Sequence, residues 1–150
     1  MKLTVTTPLA VVIDAADVTH LRAEDATGAF GILPRHADFL TVLAISVVVW
    51  RDAAGREHYV AVHGGMLELH GGDHIAIATR EAVPGDDLAQ LETEVLSRFR
   101  RQQAEEQEAR TDAQRLYLAA IGRIRQMLRP GRPDGALTAM SASRGSGHEP

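Results

Sequence analysis

Hydrophobic and polar positions alternate in short runs through the first half of this chain and recur at helical spacing in the second. "KLTVTT" places Leu3 and Val5 on one face of an extended segment, and "HIAIATRE" does the same for Ile75 and Ile77. "AVVIDA" and "VTHLRAE" follow the first run. "ISVVVWRD" and "EHYVAVHG" flank "AAG", and "MLELH" and "HIAIATRE" flank "GGD", both short links of hairpin type. Short strands at such spacing predict an antiparallel β-sandwich or barrel over residues 1–84. Gly64-Gly65 reads as a bulge or a close backbone approach, with His63 at a strand end.

Residues 85–129 change character. Leu88, Leu91, Val95 and Phe99 form one stripe, and Tyr117, Ile121, Ile124 and Leu128 a second. Between them "RRQQAEEQEARTDAQR" holds no large apolar residue. Thr111 with Gln114 fits a capping box and predicts a second helix start near Thr111 or Asp112. The expected fold is therefore a β-sandwich followed by a two-helix antiparallel hairpin, with one long helix as the competing arrangement. Asp86-Asp87 supplies favourable negative charge at the helix start. Residues 130–150 are small, polar and rich in Pro and Gly, and predict a disordered tail.

Composition narrows the function classes. The chain has 150 residues, a formal net charge of −4 and no cysteine, which removes disulfides, thiol catalysis and a basic nucleic-acid footprint. No window approaches the ~20 apolar residues of a membrane helix, and the amino terminus lacks the apolar core and cleavage site of a secretory signal. No phosphate-binding Gly-rich loop or nucleophile elbow is present, so no catalytic residue and no cofactor site is expected. His70, Asp73 and His74 flank one turn, with His63 not far along the chain. A two-residue turn at Gly71-Gly72 would pair His70 with Asp73 and send His74 to the opposite face, which argues against a metal site or a metallohydrolase.

The stretch "GAFGILPRHADFLTVL", Gly28 to Leu43, is mostly apolar yet punctuated by turn residues and charge. Ile32, Phe39 and Leu40 are expected to fill the core. Phe30, Leu33, Pro34, Arg35 and His36 are the candidates for partner contact. Pro34 fixes its own φ and pushes Leu33 toward extended geometry.

In that stretch Gly28, Gly31, Ile32, Pro34, His36, Leu40 and Thr41 match a Gly-x-x-Gly-(Ile/Phe)-x-Pro-x-His-x-x-(Leu/Phe)-Leu-(Thr/Ser) pattern, and "YVAVHGGMLELHGGDHIAIATREAV" supplies the expected strand, double glycine, strand and turn. Over residues 1–129 the chain resembles the epsilon subunit of the bacterial F-type ATP synthase, in a divergent or alternate-operon form. The resemblance implies a central-stalk rotor component at the cytoplasmic face of the cell inner membrane, peripheral, joining the gamma subunit to the c ring. It implies coupling of ion translocation to ATP synthesis or hydrolysis. It places the lower loops on the c ring and the helical hairpin near the catalytic alpha and beta subunits, where it can restrain hydrolysis. Arg98, Arg100 and Arg101, with Arg123, Arg125 and Arg129, are then candidates for an acidic lever on beta; the plainer reading is a solvated face with pairs such as Arg101 with Glu105.

Departures from the pattern carry information. Arg35 stands where the family often has glycine, and Ala29 where it often has an acid. "AIS" replaces the usual turn after Leu43, implying a shortened or rebuilt hairpin there. The family's ATP motif, Ile/Leu-Asp-x-x-Arg-Ala, has become Leu88-Ala89-Gln90-Leu91-Glu92-Thr93, so ATP sensing by this chain is not expected. A different class remains: an adaptor that docks its β-domain and coiled-coil-like hairpin onto another complex.

Overall fold

A computed structural model describes residues 1–129. The disordered tail expected for residues 130–150 lies outside the described residues. Two compact units divide the chain, residues 1–107 and residues from 108 onward.

The first unit opens with eight strands: β1 (Lys2–Thr6), β2 (Val11–Ala15), β3 (Val18–Asp25), β4 (Gly28–Ile32), β5 (Phe39–Asp52), β6 (Glu57–His70), β7 (His74–Ala78) and β8 (Ala82–Gly85). Their order is β2-β1-β7-β6-β5-β3-β4, with β8 also paired to β6. The sheet folds over itself as a β-sandwich. All pairs are antiparallel except β1 with β7, which run parallel in a register that sets Leu3 beside Ile75 and Val5 beside Ile77. All four side chains are buried, as the alternation predicted. With Leu21, Ile32, Val48, Val60, Leu67 and Leu69 they make the main core.

Two long strands replace features expected as separate elements. β5 runs unbroken through Ala44-Ile45-Ser46, so no rebuilt hairpin exists after Leu43. The run of β-branched and apolar residues simply continues the strand, which fits a segment that is part buried on both faces. β6 exchanges partners midway: Tyr59–Val62 pair with β8, whereas Met66–His70 pair with β7. The corner is Gly64-Gly65, at φ 67° and 114°. A Cβ on Gly65 would stand 2.1 Å from the Ala78 carbonyl oxygen, so the close approach read from the sequence is real and admits only glycine. His63 lies within β6 and is buried, rather than at a strand end.

After β8 the chain turns helical. Asp87 caps the start by accepting from the Ala89 and Gln90 amides at 3.0 and 3.3 Å. A short turn, α1 (Leu88–Gln90), leads into a π-helical stretch over Leu91–Val95 and then α2 (Leu96–Met127). The wide π turn moves Leu96 onto the face of Leu91, where a regular 3.6 period would have rotated it away. Leu91, Leu96 and Phe99 thereby bury together over Ala61, with Ile45, Val47, Tyr59, Val83 and Val95 around them.

The structure shows the competing arrangement in place of the expected two-helix hairpin: α2 is a single helix, and Thr111 and Asp112 lie inside it. Residues 100–115 contain no Gly or Pro and are rich in Ala, Glu, Gln and Arg, which propagate a helix. In the second unit Tyr117, Ile124 and Leu128 of the predicted stripe are exposed, as are Leu116, Leu118 and Met127.

Candidate functional site

One end of the sandwich gathers the residues singled out in the sequence. Much of the opening stretch is strand; only Leu33–Asp38 is loop. Leu33-Pro34-Arg35-His36 closes as a turn, with the His36 amide donating to the Leu33 carbonyl at 3.2 Å. Proline occupies the first central position and the second has φ 68°, the pattern of a type II turn. That second position favours glycine, and an L-residue there costs about 1–2 kcal/mol.

The turn is braced by the β6–β7 connection. The Arg35 amide donates to the Gly72 carbonyl at 3.0 Å, and the Gly71 amide donates to Asp38 Oδ1 at 2.9 Å. Gly72 packs so tightly that a Cβ would lie 3.1 Å from Arg35 Cα. The Lys2 amide ties β1 to the same corner through the Asp73 carbonyl at 2.7 Å.

Within this frame the predicted contact residues separate. Leu33 is 59% exposed, and Pro34, Arg35 and His36 are exposed beside it. Phe30 is half-buried: its ring meets Phe39 edge-on at 5.4 Å and both pack against the main core. His36 donates from Nδ1 to the Ala37 carbonyl at 2.7 Å and lies edge-on to Phe39 at 6.0 Å. Among the described residues the Arg35 guanidinium forms no ion pair and no hydrogen bond.

Of the three residues expected in the core, Ile32 is buried and Phe39 half-buried, but Leu40 is 62% exposed. With Leu43 facing the core, the two-residue repeat turns Leu40 and Val42 outward. Val42 stands opposite Met66, and all three are exposed, giving an apolar patch on the outer sheet face. Sequence reasoning missed Val42 because β5 is apolar on both faces, so its alternation could not be read, and Met66 of β6 joins the patch only through its pairing with Val42.

The histidines are arranged differently from expectation. Gly71-Gly72-Asp73 is a three-residue connection, so His70 pairs with His74 and not with Asp73. His74 donates to Asp73 at 2.8 Å, which holds that carboxyl below the usual range, while His70 faces Asp38 at 3.4 Å. Among the described residues no group of three donors could hold a metal ion.

The arginines also part ways. Arg98 pairs with Glu81 at 2.6 Å and lies 5.3 Å over the Phe99 ring. Arg100 lines a cleft of about 410 Å³ with Arg22, Glu24, Ser46 and Glu92. Arg101 makes no ion pair with Glu105; instead Glu106 takes a bidentate pair from Arg80 at 2.8 and 2.7 Å. Arg123 and Arg125 are exposed on α2 in the second unit. At the far hairpin Asp52 accepts from His58 at 2.9 Å, and chiefly for that reason its carboxyl is pulled down to about 2.

A glycine-cornered sandwich with a braced Pro-turn at one end, followed by an anchored helix, defines a class. Residues 1–85 match the family described as ATP synthase, Delta/Epsilon chain, beta-sandwich domain. The chain is 39% identical over 134 residues to ATP synthase epsilon chain 2 of Paraburkholderia xenovorans, covering 89% of this chain and 96% of that one. It is 42% identical over 121 residues to ATP synthase epsilon chain 2 of Cereibacter sphaeroides, covering 81% and 83%. A chain of the Euglena gracilis mitochondrial ATP synthase shares the fold at TM-score 0.53 and 23% identity, over 59% of this chain and 57% of that one. The chain belongs to the ATP synthase epsilon family, a non-catalytic subunit, in the form represented by second epsilon chains.

Proposed function

We propose that this chain is the rotor-stalk epsilon subunit that joins gamma to the c ring of an F-type ATP synthase. The observation that carries the reading is the exposed Leu33-Pro34-Arg35-His36 turn, held rigid by the β6–β7 connection at one end of the sandwich. It is assigned to the c ring. The separate apolar patch of Leu40, Val42 and Met66 is assigned to gamma, since exposed apolar clusters of this kind mark interfaces. The subunit is then peripheral, at the cytoplasmic face of the inner membrane through the complex. No helix among the described residues is long and apolar enough to cross a membrane.

The arm beyond Gln107 is assigned the regulatory part, reaching alpha and beta and restraining hydrolysis through Arg123 and Arg125, with Arg100 and Arg101 on the preceding turns. In this reading the arm also folds back as a two-helix hairpin near residues 108–115, burying Tyr117, Ile124 and Leu128, which are exposed in the single helix. ATP is not its ligand: Ala89 and Glu92 stand where the family motif has an aspartate and an arginine, and Glu92 faces the cleft. Tagged full-length chain should co-purify gamma and the c ring, and truncation after Gln107 should raise ATP hydrolysis by the assembled enzyme. Recovery of an unrelated complex in place of gamma would establish an adaptor instead.

A further inference from the structure

We propose that Arg35 is a specificity residue whose guanidinium meets a carboxylate on the loop of the partner ring. The inference rests on the assignment of the Leu33–His36 turn to that ring and adds the chemistry of the contact. Four observations lead to it. Arg35 is the only non-glycine at positive φ among the described residues. Its backbone is held from outside, by Pro34 before it and by Gly72, whose carbonyl accepts its amide and whose lack of a Cβ permits the close approach. Glycine would fill the same turn without strain. The side chain returns nothing within the chain, because it is exposed and its guanidinium has no acceptor among the described residues.

A strained residue persists where its surroundings over-determine it, and such sites concentrate where function needs the side chain. The function here is contact, since Leu33 and His36 on the same turn are also exposed. An isolated, planar, always-charged fork recognises a carboxylate or a phosphate. The neighbourhood selects the carboxylate. Attraction to an anionic lipid surface takes a cluster of about four to eight basic residues, whereas the corner has one arginine, and its histidines His70 and His74 are taken up by Asp38 and Asp73. A single arginine, unpaired among the described residues, is a point contact for one acid on a protein, and it discriminates against a ring whose loop is basic.

The test compares the wild-type chain with Arg35→Asn, Arg35→Lys and Leu33→Asp. Asparagine tolerates the left-handed conformation and removes the charge. Binding is measured to the detergent-solubilised rotor of c ring and gamma from the same organism, at low and high salt. Arg35→Asn should melt at the wild-type temperature or above it, bind about tenfold or more weakly, as loss of a charge-assisted hydrogen bond implies, and lose most of its salt dependence. Arg35→Lys should keep part of the affinity. If Arg35→Asn binds like wild type while Leu33→Asp does not, the loop is the interface and the role given to Arg35 is wrong. If Leu33→Asp also binds normally, the assignment of the loop fails and the inference with it. A lower melting temperature for Arg35→Asn would show a structural role and overturn the proposal. So would Arg35-dependent binding to anionic phospholipid vesicles lacking the ring.

Discussion

Replacing Phe99 with alanine should release the helix from the sandwich without unfolding the sandwich. Phe99 is fully buried, with its ring 5.0 Å from that of His63, and Leu91 and Leu96 complete the cluster over Ala61. Truncating a buried phenylalanine costs about 3–5 kcal/mol. Two ion pairs also tether the helix, Arg80–Glu106 and Arg98–Glu81, but their side chains are 40–63% exposed. Exposed pairs contribute about 0.2–1 kcal/mol each, so together they cannot replace the lost ring. At about 1.4 kcal/mol per factor of ten, the undocking equilibrium should shift by roughly two to three and a half orders of magnitude. The main core is a separate cluster containing none of these residues, so the strands should stay folded. Hydrogen exchange resolves the two. Amides of residues 94–107 should lose protection by that factor, while those of β1, β6 and β7 keep theirs. Arg80→Ala should loosen the helix by no more than about fivefold. Equal loss of protection in strands and helix would refute the separation of the two clusters. A larger effect from Arg80→Ala than from Phe99→Ala would refute the claim that packing, not charge, holds the helix.

Three further outcomes follow from the sandwich itself. Leu33→Asp should shift folding stability by less than about 0.5 kcal/mol, as surface changes do, yet weaken assembly with the rotor; thermal melting and a pull-down of gamma with the c ring check the two parts. Gly65→Ala should destabilise by about 4 kcal/mol or more, because its Cβ would strike the Ala78 carbonyl oxygen; urea denaturation measures it, and a near-neutral result would mean that the corner can open. Acid should destabilise the chain through carboxyls held low in the fold: Asp52 at about 2 by His58, Asp25 by Thr27 and Thr41, and Glu57 by Arg51. Their folded pKa values lie below the unfolded ones, so this stability is complete above about pH 5 and is lost as pH falls toward 2. Melting temperatures between those limits should drop less steeply in Asp52→Asn.

Strand alternation was legible where one face is apolar and the other is not, as in Leu3 with Val5 and Ile75 with Ile77. It failed in β5, where every face is apolar and Leu40 could not be told from Leu43. The Gly64-Gly65 corner was legible because glycine has few other reasons to be doubled within a strand. The length of the next turn was not: Gly71-Gly72 allowed a two-residue link, and tertiary bonds from Asp38 and Lys2 set three residues instead. Leu96 was missed because a π turn breaks the period on which the stripe was counted. Thr111 offered a capping signal, but an N-cap forms only where the chain breaks, and in this structure α2 runs on through it. Of the site, the exposed turn was readable from its Pro and charge. The strain at Arg35 required the backbone angle.

β6 has a mechanical consequence. From Glu57 to Leu69 it is laced to β5 at twelve paired positions, and its two halves hold β8, next to the helix anchor, and β7, next to the exposed turn. Antiparallel hydrogen bonds lie across the strand direction. A force applied along β6 therefore loads the whole ladder at once, in shear, rather than opening it bond by bond. A subunit seated on a turning shaft is twisted at one end and held at the other. If the chain is seated as proposed, the path between those ends runs along one uninterrupted strand, whose corner at Gly64-Gly65 approaches Ala78 so closely that only glycine fits there.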